Sequence, residues 1–182
     1  QDFSGFEEIS FDFKTDTSTA YTDWAVRLDS GAQPWLNRAL PLGDYGTVGE
    51  TWETFSIPIA DFSAVGTGNG NTAPTLTAVT SVVIICYENP GITGGNGPHE
   101  IDASFDNLYV GPFGPDTPPT PLLASYEGST TDNNYGGDTA IYSQACNEWS
   151  ACHRYIQELA TDNGPSAPGT DALHVYSNGP VP

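Results

Sequence analysis

The chain has 182 residues, 37% hydrophobic and 12% aromatic, enough to pack one large or two small domains. Four basic residues (Lys14, Arg27, Arg38 and Arg154) face 23 acidic ones, for a formal net charge of −19. A surface of that sign repels phosphates, which argues against nucleic acid and anionic membranes as partners. The longest apolar run, 82–86, is far too short for membrane insertion as a helix. The same acidity serves either as a solubilising shell or as an attraction for divalent cations.

The polar residues are mainly Gly, Pro, Ser, Thr, Asn and Asp, which supply the backbone angles of turns, and helix formers are few. Residues 8–15 (EISFDFKT) alternate, with Ile9, Phe11 and Phe13 on one side and Glu8, Ser10, Asp12 and Lys14 on the other. Period two with a clean split predicts a strand buried on one face. Residues 22–29 (TDWAVRLD) repeat the pattern, with Trp24, Val26 and Leu28 inward. Residues 51–59 (TWETFSIPI) turn Phe55, Ile57 and Ile59 inward, and Pro58 predicts an edge or an end, because it cannot donate to a ladder. After a Gly-, Asn- and Thr-rich loop, 79–87 (VTSVVIICY) is an apolar run of strand length. A second Gly-rich loop precedes the strand predicted at 101–110 (IDASFDNLYV). Five strands with turns between them predict an all-β, antiparallel β-sandwich or a barrel.

Residues 111–121 (GPFGPDTPPTP) form an extended, Pro-rich connector that closes the first block, 1–110. The remainder, 122–182, offers strands at 122–126, 139–143 and 172–176. It also offers one short helix at 147–159, where Trp149, Cys152, Ile156 and Leu159 share a helical face. So few elements do not bury a core alone, so this third is expected to be a fragment of a domain or to dock on another one.

Phe3 to Val110 resembles the galactose-binding-like jelly-roll modules appended to secreted bacterial polysaccharide hydrolases. The likeness rests on DFSGFEEISFDFKTD (2–16), WAVRLDSG (24–31), ETWETFSIPIADF (50–62) and SFDNLYVG (104–111). In such modules one or two strands precede the segment that opens this chain. Those opening strands resemble LLASYEG (122–128) and TDALHVYSNG (170–179), so the order of segments looks permuted. The block 122–182 then packs either on its own chain or on a neighbouring subunit. At about 3.1 Å per residue the connector reaches roughly 30 Å, and its stiffness favours reaching out.

A non-catalytic, extracellular, carbohydrate-binding-module-like jelly roll is the function the resemblance implies, with a polysaccharide or glycan as partner. Sugars stack on aromatic rings beside hydrogen-bonding polar groups. Trp35, in the polar loop GAQPWLNR, with Asn37 and Arg38, is therefore a candidate, joined at the same rim by Tyr87 and Glu88. The alternative is that Trp35 plugs the end of the core. The loop 132–138 (DNNYGGD) sets Asp132, Asn134 and Asp138 at relative positions one, three and seven, a pattern suited either to calcium or to a plain Asx turn. The resemblance adds a structural calcium between the first and last strands of the module, implicating Glu127 and Asp106.

Cys146 and Cys152 are expected to form a disulfide, which an oxidising, secreted setting permits, with Cys86 a buried thiol in its strand. With no methionine in the chain, Gln1 is expected to be a mature terminus. No GxSxG, HExxH or P-loop occurs, and the three histidines are scattered, so no catalytic residues are assigned. The other function class is structural: a subunit or repeat of an extracellular filament, assembled head-to-tail by strand complementation.

Overall fold

A computed structural model describes residues 2–15, 22–63, 71–88, 102–111, 122–124, 153–160 and 172–180. These residues form nine strands in two antiparallel sheets, with short 3-10 turns and no long helix. The strands are β1 (Glu8–Thr15), β2 (Thr22–Ser30), β3 (Ala39–Pro41), β4 (Glu53–Pro58), β5 (Val79–Glu88), β6 (Asp102–Gly111), β7 (Leu122–Ala124), β8 (His153–Ala160) and β9 (Ala172–Pro180).

The larger sheet runs β4-β1-β6-β9-β8, with β7 also paired to β6; the smaller runs β3-β2-β5. The period-two pattern explains how they meet. Ile9, Phe11 and Phe13 of β1, Trp24, Val26 and Leu28 of β2, and Phe55 and Ile57 of β4 are all buried in one core. Phe13 is the hinge of that contact: its ring centroid lies 4.9 Å from Trp24 of the other sheet and 4.9 Å from Phe105 of β6. Phe11 stacks on Phe55, so aromatic pairs tie β1 to β4 as well.

Pro58 is expected at an edge or an end: β4 ends at Pro58, and among the described residues it is an edge strand. The three-residue strand β3 has no period to read in sequence; it forms because Ala39–Pro41 lies against Ala25–Arg27 of β2. The apolar run of strand length at 79–87 is β5, and among the described residues it pairs with β2 alone.

Two differences from the sequence reading have physical reasons. The helix expected over 147–159 is not formed in its second half: His153–Ala160 is strand β8, paired with β9 from Ala160↔Ala172 back to His153↔Pro180. A short helix is marginal in water, and a full-length antiparallel ladder outweighs its weak propensity. Residues 147–152 lie outside the described residues, as does the strand expected at 139–143. The second difference is the polar side of β1, expected to face solvent. Ser10 and Asp12 are buried there. β1 is a central strand, with β4 on one edge and β6 on the other, and Thr54 and Asn107 from those strands hydrogen-bond to Asp12.

The tail meets the first block at β6. β9 pairs with the first half of β6 (Asp102↔Tyr176 to Phe105↔Leu173), and β7 with the second half (Leu108↔Ala124). Leu173 is buried against Phe105 and Leu108. β6 therefore has β1 on one edge and its own chain's tail strands on the other. Between the two halves the register with β1 shifts, from Ser10↔Tyr109 to Asp12↔Asp106, which is a β-bulge. Asn107 sits in the bulge at φ 49, a left-handed conformation that asparagine tolerates better than most residues.

Candidate functional site

The loop after β2 carries Trp35 and Arg38, and its shape follows from Asn37. Gly31 turns the chain away from β2 at φ 75. A 3-10 turn at Pro34–Leu36 then brings Asn37 back under the strand end. Asn37 is 4% exposed, and its Nδ2 donates to the Leu28 carbonyl at 2.9 Å and to both the carbonyl and Oγ of Ser30. Ser30 Oγ in turn accepts from the Thr75 N–H at 2.7 Å. On its other side the loop is held by Thr72, whose N–H donates to the Leu36 carbonyl and whose carbonyl accepts from the Arg38 N–H. Two loops far apart in sequence are thus locked together at one end of the fold, with Trp35 in the turn between the fastenings.

Next to them lies a surface group. The Arg38 Nη1 donates to the Ser63 carbonyl at 2.8 Å. The Tyr45 hydroxyl donates to Asp61 Oδ2 at 3.0 Å. Tyr45 keeps its ring against the core while its hydroxyl reaches the surface. Its hydroxyl pKa is pushed up to about 12, first by burial, then by the hydrogen bond and charge of Asp61. Arg38 and Asp44 are close enough to act on the same hydroxyl with opposite sign.

Trp35, Asn37 and Arg38 lie on one turn of the chain, where Asn37 serves as an internal fastening and its amide is turned away from solvent. Tyr87 and Glu88 are not at this rim. Their register positions oppose Asp23 and Thr22, at the start of β2, whereas Asn37 is bonded to its last residues. From Thr22 to Ser30 is eight residues along the strand, roughly 26 Å at about 3.3 Å per residue. The antiparallel pairing of β2 and β5 puts these two segments at opposite ends of β2. Tyr45 and Asp61 were not distinguishable in sequence, since each sits in a turn of ordinary composition. The only signal is their placement one turn beyond β3 and β4.

A second polar group lies on the outer face of the larger sheet. Asp12 and Asp106 are directly opposed on β1 and β6, at 9% and 1% exposure. The Thr54 hydroxyl donates to Asp12 Oδ1, and Asn107 Nδ2 donates to Asp12 Oδ2 at 2.8 Å. The Asn107 N–H donates to Asp106 Oδ1 at 2.8 Å, a bond made possible by the left-handed bulge. Burial, and then the negative charge of Asp12 and Asp106, push the Tyr109 hydroxyl pKa upward. Lys14, two residues along β1, lies 5.4 Å from the centre of the Trp52 ring.

Asp106 is the one expected metal ligand within the described residues. Glu127, Asp132, Asn134 and Asp138 lie outside them, as do Cys146 and Cys152. Among the described residues, no group of three His, Cys, Asp or Glu side chains converges on one point. Among these residues too, no helix is long and apolar enough to cross a membrane. Compared with family models, with curated proteins and with solved structures, the chain shows no match.

Proposed function

We propose that the chain is a non-catalytic, secreted, carbohydrate-binding-module-like protein with a jelly-roll β-sandwich fold, and that it binds a polysaccharide at the Trp35 end. The sandwich is supported by the contact of Trp24 in one sheet with Phe13 and Phe105 in the other. One observation carries the site: the buried Asn37 fastens the turn bearing Trp35 and Arg38 to the end of β2. A turn whose backbone is fixed in advance presents its side chains to a sugar at a lower ordering cost. The test is retention on immobilised cellulose, xylan and galactan. Retention of the native protein, and its loss in Trp35→Ala with the melting temperature unchanged, is the expected result. Failure of the native protein to bind any glycan would sink the reading.

A structural calcium belongs to the same proposal. Asp106 and Asp12 offer buried, opposed carboxylate oxygens, the donor type a hard cation takes, and two like charges side by side favour a cation between them. When bound, the ion would neutralise that charge and hold β1 to β6; Glu127, Asp132, Asn134 and Asp138 remain proposed further ligands.

The pairing of β7 and β9 with β6 favours a second reading, as a filament subunit. The same strands, given to the β6 of a neighbour across the 111–121 connector, would complete its sheet and propagate head-to-tail. Light scattering on the native protein separates the two. Growth into polymers that vanishes when 122–182 is deleted supports the filament; a monomer at all concentrations overturns it.

A further inference from the structure

We propose that Asp61, oriented by Tyr45, and Arg38 form the polar half of the glycan site, and that together they fit a neutral sugar presenting adjacent hydroxyls. This rests on the reading of the Trp35 end as a glycan site.

The geometry supplies both kinds of partner a hydroxyl needs. Asp61 is exposed and presents a carboxylate, an acceptor for sugar O–H groups. Its Oδ2 is held by the Tyr45 hydroxyl, and Tyr45 is itself anchored by its ring against the core. The carboxylate is therefore aimed before any ligand arrives. Arg38 supplies donors. Nη1 is engaged by the Ser63 carbonyl, only two residues beyond Asp61, so the same short segment fixes the arginine and bears the acid. The rest of the planar guanidinium remains for sugar oxygens, and it does not form an ion pair among the described residues. Arg38 also follows, one residue on, the Asn37 that locks the loop. Every member of the group thus hangs on a rigid element, which is what directional hydroxyl recognition needs.

Charge selects the class of sugar. Asp61 and Asp44 flank Tyr45, against the single positive charge of Arg38, in a chain of net charge −19. A uronate or sulfated unit would meet net repulsion there, whereas a neutral hexose or pentose meets an acceptor and a donor side by side.

The experiment measures affinity on immobilised cellulose, xylan, galactan and, as the anionic arm, alginate, for native protein, Asp61→Asn, Tyr45→Phe, Arg38→Ala and the Asp61→Asn/Tyr45→Phe double variant. All substitutions are at partly or fully exposed positions, and melting temperatures confirm folding. Binding to a neutral polysaccharide that falls by about tenfold or more in Asp61→Asn and in Arg38→Ala is expected, as for a hydrogen bond to a charged group. Tyr45→Phe should weaken binding less, and the double variant should bind no worse than Asp61→Asn, because tyrosine acts only through the carboxylate. Neutral-glycan binding unchanged in Asp61→Asn and Arg38→Ala, or a native preference for alginate, overturns this assignment while leaving the glycan reading intact. Absence of binding to all four matrices removes both.

Discussion

The two faces of β1 are built from alternate residues of one strand, and both are buried, but they are held by different physics. On one face Phe13 has Trp24, Phe55 and Phe105 as ring neighbours, and Ile9 and Phe11 extend the same apolar seam. On the other, one residue away, Asp12 accepts from Thr54 and Asn107 and faces Asp106. The apolar face gains from any hydrophobic neighbour of suitable size, since that attraction has no direction. The polar face is favourable only with its partners in place, because a buried carboxylate that loses them is costly. The apolar seam should therefore decide whether the chain folds, and the polar seam whether β1 and β6 meet in this register.

The comparison can be broken most directly at Phe13. Phe13→Ala removes a ring from the point where the sheets touch, and should cost about 3–5 kcal/mol in denaturant unfolding, enough to unfold a marginal domain. A loss under about 1 kcal/mol would mean that the sheets do not pack through this residue.

On the polar face, Asn107→Ala loses the bond to Asp12 and leaves a β-carbon residue at a left-handed φ, for an expected loss of about 2 kcal/mol. Asn107→Gly loses the bond but accepts the angle, and should be milder. Equal losses in the two variants would assign the whole effect to the hydrogen bond and none to the bulge.

Calcium tests what the opposed carboxylates are for. Excess EDTA should lower the melting temperature of the native protein, and should do so less in Asp106→Asn. Identical melting curves with and without chelator would leave Asp12 and Asp106 held by their hydrogen bonds to Thr54 and Asn107, with no role for a cation.

The smallest effect concerns Tyr45. Its hydroxyl, raised to about 12, should ionise later than an ordinary tyrosine. Since the folded pKa lies above the unfolded one, its contribution to stability is complete below about pH 10 and is lost as pH rises toward about 12. Near-ultraviolet titration should show a late-titrating tyrosine that Tyr45→Phe removes; an unchanged titration would mean that neither burial nor Asp61 holds this hydroxyl back.

Much of the first block was legible because hydrophobic alternation needs no knowledge of neighbours. Ile9, Phe11 and Phe13, or Trp24, Val26 and Leu28, share a face of any strand, so β1 and β2 could be read directly. The rim grouping Trp35 with Tyr87 and Glu88 failed because sequence shows that both segments are near strand ends but not which ends. The second half of the 147–159 helix failed for a related reason: so short a run does not settle its own period, and the partner strand β9 makes His153–Ala160 a strand.

Alternation and turn composition by themselves pointed to mostly β, antiparallel structure, which the described residues have, with a core on one face of the main strands, and charge counting showed a strongly acidic chain. Those are local properties, set by side-chain hydrophobicity and backbone angle residue by residue. Only the tertiary structure decided that Asp12 lies across from Asp106, that Asn37 fastens one loop to another, and that Tyr45 and Asp61 meet beside Arg38. Each of these depends on strand register, and register is fixed by the combined fit of many weak contacts between segments distant in sequence.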